Sequence, residues 1–294
     1  MGDTIGLYPY GSTVVSVDTL RPIPGTVITE QGITVELLFQ TVPQGRTAVV
    51  RVIGDRLAGA RVRFRQTTSD CFYIPDDAYY GLIAVSMDQT PRVYDFSVLA
   101  WRDDGTRVTV PLQMQVVNGN FIRQDFNLSA DRAYLIDPEV ERLEFARLDS
   151  VFTNFTYERF WDDSGFQAPI VSELTSPFGA FRMINETVET RHTGWDLRAP
   201  VGIPVMAMAS GKVAYAGLLD IRGNYVAIDH GYGIYSAYAH LSQVHVTRGQ
   251  TITKGQIIGV SGNTGRSGGP HLHWEMVVNG EWVDSADFLA MWLP

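Results

Sequence analysis

Short runs of β-branched and aromatic residues, parted by turn residues, recur along the first 118 residues and leave little room for any fold but a β fold. They are Thr34 to Phe39, Ala48 to Ile53, Arg61 to Arg65, Tyr80 to Val85, Tyr94 to Trp101 and Arg107 to Val117. Strand side chains alternate between faces, so in Arg61-Val62-Arg63-Phe64-Arg65 the arginines face water and the valine and phenylalanine a core. Asp103-Asp104-Gly105 reads as the tight turn between two of the runs. The pattern predicts an immunoglobulin-like β-sandwich over residues 1–118, without the cysteine pair of true immunoglobulin domains. Cys71 is the only cysteine, which excludes an intramolecular disulfide and a cysteine-built metal site. Its setting reads as that of a small buried apolar residue. No histidine occurs here, and the paired acids Asp76-Asp77 and Asp103-Asp104 fall in turn-like sequence, where acids are solvated.

Residues 119–171 read as a connector with one helix. Asp137-Pro138-Glu139 supplies an N-cap acid, a proline at the first helical position and an acid in the first turn. Val140, Leu143, Leu148, Val151, Phe152 and Phe155 recur at helical spacing, so a helix is predicted from Pro138 to Thr153, its stripe serving packing. Glu141, Arg142, Glu144, Arg147 and Asp149 read as its solvated face. The aperiodic stretch from Tyr157 to Ile170 mixes aromatics with acids, as a linker over a neighbouring surface would.

Chemistry concentrates in SGNTGRSGGPHLHWE, Ser261 to Glu275. His271 and His273 are two residues apart in a predicted strand, so both imidazoles face one way while Leu272 points into a core. An HxH pair alone is a weak signal, but all six histidines (His192, His230, His240, His245, His271, His273) follow residue 191. Asp196 stands four residues after His192, a spacing that returns to one face of a strand or a helix. Two imidazoles and a carboxylate form a zinc ligand set with a fourth position left for water.

From Met183 to Arg191 the polar sequence reads as an exposed loop beside this chemistry. Asn224 to Asp229 and Ile234 to His240 read as a hairpin turning at His230-Gly231-Tyr232-Gly233, which makes His230 structural or solvated. In the second strand Ser236, Tyr238 and His240 share one face, and Tyr235, Ala237 and Ala239 the other. His245 reads as a surface residue.

Five stretches in order carry a resemblance: TSPFG at 175–179, HTGWD at 192–196, GNYVAIDHGYG at 223–233, YAHLS at 238–242 and GPHLHWE at 269–275. From about Ser172 to Phe288 the chain resembles the lysostaphin-type (LytM-type) zinc endopeptidases, which cut peptide cross-links in bacterial cell walls. The resemblance implies an antiparallel β peptidase domain of two layered sheets over residues 172–294, after the β-sandwich and the helical connector. It implies one Zn2+ per chain held by His192, Asp196 and His273, with His240 and His271 as catalytic histidines, and Arg182 matches an arginine common after the family's glycine. Phe178, Phe181 and the NETVET loop stand where glycyl-bridge cutters often carry a tyrosine and more glycines, so direct cross-links or stem peptides are the expected substrates.

Some lysostaphin-type enzymes keep a preceding segment across the site, and Asp162, Asp163 or Asn154 could serve that way here. The resemblance also implies an extracytoplasmic location, although the opening MGDTIGLYPYGS lacks the basic start and apolar run of a signal peptide. No window of about 20 apolar residues is present to span a membrane. A net charge of −9 without basic clusters argues against nucleic acid as a partner. The first module then serves as a spacer or wall contact.

Two rival readings come from other classes. A non-catalytic LytM-type module that activates a separate wall hydrolase would usually lack ligand residues, and this chain keeps all of them. A carrier domain is suggested by VTRGQTITKGQIIG, but Lys254 lacks the usual methionine neighbour and His192 and Asp196 would have no role.

Overall fold

The computed structural model describes residues 23–75, 78–291 and 293, so Asp76, Asp77 and the opening stretch lie outside the described residues. The described chain is built mainly of strands and divides into two compact units, 23–119 and 120–291.

In the first unit each run read as a strand is one. The unit has ten strands: β1 (Thr26–Glu30), β2 (Ile33–Leu37), β3 (Thr41–Pro43), β4 (Thr47–Gly54), β5 (Leu57–Phe64), β6 (Thr67–Asp70), β7 (Phe72–Ile74), β8 (Ala78–Ala84), β9 (Arg92–Arg102) and β10 (Arg107–Val117). They form two five-stranded sheets, ordered β1-β2-β4-β8-β7 and β3-β10-β9-β5-β6. Val62 and Phe64 stand opposite Val98 and Phe96, all four buried, while Arg61 and Arg63 are exposed. Directly opposite residues share a face, so the alternation fixes the register. Both sheets feed one apolar cluster, with Val35, Val50 and Val52 from the first and Val62, Phe96, Val98 and Leu112 from the second. Each such side chain contributes about 1.5–3 kcal/mol when fully buried.

The second unit opens with β11 (Arg123–Phe126), a 3₁₀ turn (Ala130–Ile136) and helix α1 (Pro138–Phe152), and continues through β12 (Leu174–Ser176), β13 (Phe181–Ile184), β14 (Val188–Arg191), β15 (Trp195–Arg198), β16 (Pro204–Met206), β17 (Gly211–Leu219), β18 (Gly223–Gly231), β19 (Ile234–Leu241), β20 (Gln243–Val244), β21 (Thr251–Ile252), β22 (Ile257–Val260), β23 (His271–Val278), β24 (Glu281–Val283) and α2 (Ser285–Ala290). Its main sheet is antiparallel, ordered β12-β15-β23-β19-β18-β17-β21, with β24 beside β23. Two three-stranded sheets, β11-β13-β14 and β16-β22-β20, complete the unit.

Helix α1 begins as its sequence predicts, with Pro138 in the first turn and the Asp137 carboxylate accepting from the Glu139 N–H. Leu148 and Phe152 pack on Tyr225, Ala227, Tyr235, Ala237, Ala239 and Val277 of the main sheet. The reading of its two faces needs correction. Leu143 is exposed, and Glu144, read as solvated, is buried. Glu144 shares the i, i+4, i+8 stripe of Leu148 and Phe152.

Two further expectations change. Residues 183–191 are not an open loop but most of the β13–β14 hairpin, which Asn185 and Glu186 turn at positive φ. His230 lies inside β18 rather than in the turn, which shrinks to Tyr232-Gly233 because pairing continues to Gly231 opposite Ile234. His230 is fully buried; its Nδ1 donates to the Ser210 carbonyl and its Nε2 meets the Ser236 hydroxyl.

Candidate active site

Strand register assembles the site. In β23, His273 stands opposite Asp196 of β15 on one side and Ala239 of β19 on the other. Directly opposite residues project from the same face, so Asp196 and His273 lie side by side. His192 reaches them from the loop before β15, where its backbone N–H donates to the Ala180 carbonyl and its own carbonyl accepts from Gly179. Gly194 makes that loop possible, since a Cβ there would sit 2.3 Å from the Trp274 carbonyl oxygen.

Three atoms converge: His192 Nε2, Asp196 Oδ1 and His273 Nδ1. The separations are 3.0 Å from His192 Nε2 to Asp196 Oδ1, 2.9 Å from His273 Nδ1 to the same oxygen, and 2.9 Å between the two nitrogens. The other nitrogen of each ring is engaged. His192 Nδ1 donates to the Pro177 carbonyl at 2.7 Å, and His273 Nε2 donates to Glu275 Oε1 at 3.1 Å. With those protons placed outward, three lone pairs face one another, an arrangement that calls for a cation between them. Two imidazoles and one carboxylate oxygen are the donor set of a catalytic zinc site, so the residues fit the metal. Asp196 Oδ2 is taken by Arg182, which also donates to Ser176 Oγ, and this leaves Oδ1 as the free donor.

Burial pushes the His192 imidazole down to about 3, helped by the Arg182 charge, which keeps it neutral and fit to ligate. Burial would raise the Asp196 carboxyl, but Arg182 and His192 outweigh it and hold it well below the usual carboxylate range. For His273 burial is opposed and outweighed by Asp196 and Glu275, and the ring is raised.

His240 and His271 flank the trio. The His240 and His271 ring centroids are 4.8 Å apart, and His240 lies 5.8 Å from His273. His240 Nδ1 donates to the Thr264 carbonyl at 2.7 Å and His271 Nδ1 to the Gly269 carbonyl at 2.8 Å, so each keeps an Nε2 lone pair. His271 Nε2 is buried without a hydrogen-bond partner, 3.4 Å from Asp196 Oδ1. His240 does not share a face with Tyr238, as simple alternation requires. It has a φ of +58°, and the β18–β19 register shifts between Asn224 and Val226. This bulge turns its ring onto the face of Ala239 and His273, a common use of bulges beside functional sites. Tyr238 stays on the opposite face, its hydroxyl accepting from the Met208 N–H.

Behind His273 lies a buried ionic network that sequence reading missed. Glu275 accepts from His273, Thr193 Oγ1, Tyr225 OH and the Arg222 guanidinium, and Arg222 Nη1 donates in turn to Glu144 of α1 at 3.0 Å. Burial opposes the Glu275 charge, but Arg222 and His273 keep its carboxyl well below the ordinary range. Glu275 could have been found, since it continues the face of His271 and His273; Glu144 was an acid within an apolar stripe. Arg222 carried no such signal.

Residues 123–135 join the two sides of the site. The Phe126 carbonyl accepts from Asn185 N–H, and Leu128 N–H donates to Asn185 Oδ1, on the β13–β14 hairpin. From the other end, Arg132 donates to the Ser267 carbonyl at 2.8 Å and the Asn263 carbonyl at 3.0 Å, in the loop before His271. Phe126 lines a cavity of about 40 Å³ together with His192, His240 and His273. The side chains expected to lie across the site are engaged elsewhere: Asp162 bonds to Ser164, Asp163 pairs with Arg159, and Asn154 Nδ2 donates to the Ser150 carbonyl near the end of α1. His245 is exposed and apart from the cluster. Lys254, the carrier lysine of a rival reading, is held by the Ser164 carbonyl at 2.7 Å.

Known proteins resemble this chain in the same region. Residues 190–285 match the family model described as Peptidase family M23. Peptidoglycan DD-endopeptidase ShyA of Vibrio cholerae is 45% identical over 94 residues, which is 32% of this chain and 22% of that protein. DD-carboxypeptidase/endopeptidase Mpg of Neisseria meningitidis is 42% identical over 116 residues, 39% of this chain and 26% of that one. The chain thus spans about a quarter of the length of these curated relatives. A Pseudomonas aeruginosa crystal structure designated peptidase M23 aligns with a TM-score of 0.64 at 25% identity, covering 86% of this chain and 96% of its own. Motif order, donor geometry and these likenesses agree that the chain carries, over residues 190–285, a domain of peptidase family M23.

Proposed function

We propose that this chain is a zinc-dependent endopeptidase that hydrolyses direct peptide cross-links or stem peptides of bacterial peptidoglycan, outside the cytoplasm. The observation that carries the reading is the convergence of His192 Nε2, Asp196 Oδ1 and His273 Nδ1, with the remaining nitrogen of each ring tied outward. These three residues would hold the metal. Bound there, zinc supplies a Lewis acid for the peptide carbonyl and makes water acidic enough to attack near neutral pH.

The rest belongs to the protein. His240 and His271 each present an Nε2 lone pair, their Nδ1 protons held by the carbonyls of Thr264 and Gly269. One accepts the proton of the attacking water, and the pair returns a proton to the leaving amine. The other, on taking a proton from solvent at its Nε2, steadies the developing oxyanion. Arg182 keeps Asp196 ionised and turned, so its Oδ1 stays a donor. The names of ShyA and Mpg support bonds of the DD type in peptidoglycan as substrate.

The test is metal content together with release of soluble fragments from isolated peptidoglycan, for the native chain and for His273→Ala. About one zinc per chain and turnover, both lost in the variant, is the expected result. Zinc-free native protein, or a His273→Ala variant that still turns over, would overturn the reading. Native protein with zinc that cuts no isolated peptidoglycan, yet stimulates a separate wall hydrolase, would replace it with the activator role.

A further inference from the structure

Glu144 is an acid on a helix outside the residues that match the family, yet it ends a continuous buried chain that leads to a metal-ligating candidate. Its Oε1 accepts from Arg222 Nη1 at 3.0 Å and its Oε2 from the Ile221 backbone N–H at 2.6 Å. It therefore pins both the side chain and the main chain at Arg222. Arg222 in turn donates to Glu275 Oε1 from Nη2 at 2.8 Å and from Nε at 3.0 Å, and to Thr193 Oγ1 at 3.2 Å. Tyr225 OH fills Glu275 Oε2 at 2.6 Å. Thr193 Oγ1 donates to Oε1 at 2.5 Å, and His273 Nε2 donates to the same oxygen at 3.1 Å. Every lone-pair direction of Glu275 is thus prescribed, and the rotation of the His273 ring follows.

We propose that Glu144 is a positioning residue of the metal centre: through Arg222 and Glu275 it fixes the direction of His273 Nδ1, and helix α1 thereby sets part of the affinity for the metal. The proposal rests on the zinc reading of the site. A role in stability alone accounts poorly for the arrangement, because buried ion pairs contribute little over apolar residues of the same volume once desolvation is counted. Partners that orient a ligating histidine typically change metal affinity about 10- to 100-fold when lost. Leu148 and Phe152, one and two turns along the same stripe, supply the packing of α1 in a cluster that includes Tyr225, and neither side chain adds a hydrogen bond or a charge to the network.

The experiment measures zinc affinity by competition with a chromophoric chelator, for the full native chain, Glu144→Gln and Phe152→Leu. Glu144→Gln keeps an acceptor for the Ile221 N–H but loses the charge that holds Arg222, whereas Phe152→Leu loosens the same helix from the sheet and removes no hydrogen bond or charge of the network. The expected result is a zinc dissociation constant raised roughly tenfold or more in Glu144→Gln, with native affinity in Phe152→Leu even where its unfolding midpoint falls further. In the metal-free proteins, the nitrogen resonances of His273 should report a fixed Nε2–H tautomer in the native chain and exchange between tautomers in Glu144→Gln. Native zinc affinity in Glu144→Gln, or an equal loss in Phe152→Leu, would overturn the proposal. A native chain that binds no zinc would instead remove the metal reading itself, a result that the comparison of variants cannot produce.

Discussion

His240 and His273 are brought onto one face of the main sheet by a residue with φ +58°, although strand pairing sets Ala239, not His240, opposite His273. A non-glycine residue in that conformation is strained, and strain of about 1–3 kcal/mol persists where the surroundings over-determine it. Here Gly262 allows the close approach, since a Cβ there would lie 2.7 Å from the His240 carbonyl oxygen. His240→Asn, which tolerates left-handed backbone but offers no comparable base, should fold and bind zinc while kcat falls by roughly 10²–10⁴. Steady-state kinetics beside metal analysis separates this from loss of the site.

Gly194 is constrained by the Trp274 carbonyl and by His273 Cε1, which a Cβ would meet at 2.3 and 3.0 Å. Gly194→Ala is expected to cost roughly 1–3 kcal/mol, the usual range for overpacking, and to weaken zinc binding by pushing β15 from β23. Urea titration and chelator competition read the two effects. A variant as stable as the native chain would show that the loop yields without displacing His273.

Arg132 ties residues 123–135 to the loop before His271. Phe126 lines the small cavity beside His192, His240 and His273, so a tie that holds its segment in place is expected to restrict a peptide's access to the site. Arg132→Ala should therefore raise kcat/KM on cross-linked muropeptides and leave zinc content unchanged. Lower activity at full zinc content would instead make the segment part of the substrate platform.

His230 carries a pH dependence far from the chemistry. Burial pushes its imidazole down to about 4 from 6.5, partly offset by the Ser210 carbonyl. The unfolded chain binds this proton at a higher pH than the folded chain, so the stabilisation is complete above about pH 6.5 and is lost as pH falls toward 4. At about 1.4 kcal/mol per pH unit the loss amounts to roughly 3 kcal/mol. His230→Gln should be less stable at pH 7 but lose less between pH 7 and 5, as read from urea midpoints of the two proteins at both pH values.

How far the fold could be read depended on periodicity. Runs with a period of two became β2, β4, β5, β8, β9 and β10, and the Asp137-Pro138 cap marked the start of α1 to the residue. Periodicity failed where geometry departs from it. The bulge at His240 has no glycine to announce it, so alternation sent the ring to the wrong face. Glu144 was judged by its charge rather than by its place in the stripe with Leu148 and Phe152, and its partner Arg222 is 78 residues away in the chain. Residues 123–135 were passed over because their bonds to Asn185, Asn263 and Ser267 are long-range and leave no local mark.

Leu148 and Phe152 roof a floor made by Tyr225, Ala227, Tyr235, Ala237, Ala239 and Val277. The inheritable module is therefore larger than the stretch that matches the family. A graft cut at residue 190 would carry every candidate ligand and both flanking histidines, yet it would bare that aromatic floor to water and offer a sticky face to any neighbouring chain. Transplanted from Asn120 onward, the same residues travel with their own lid.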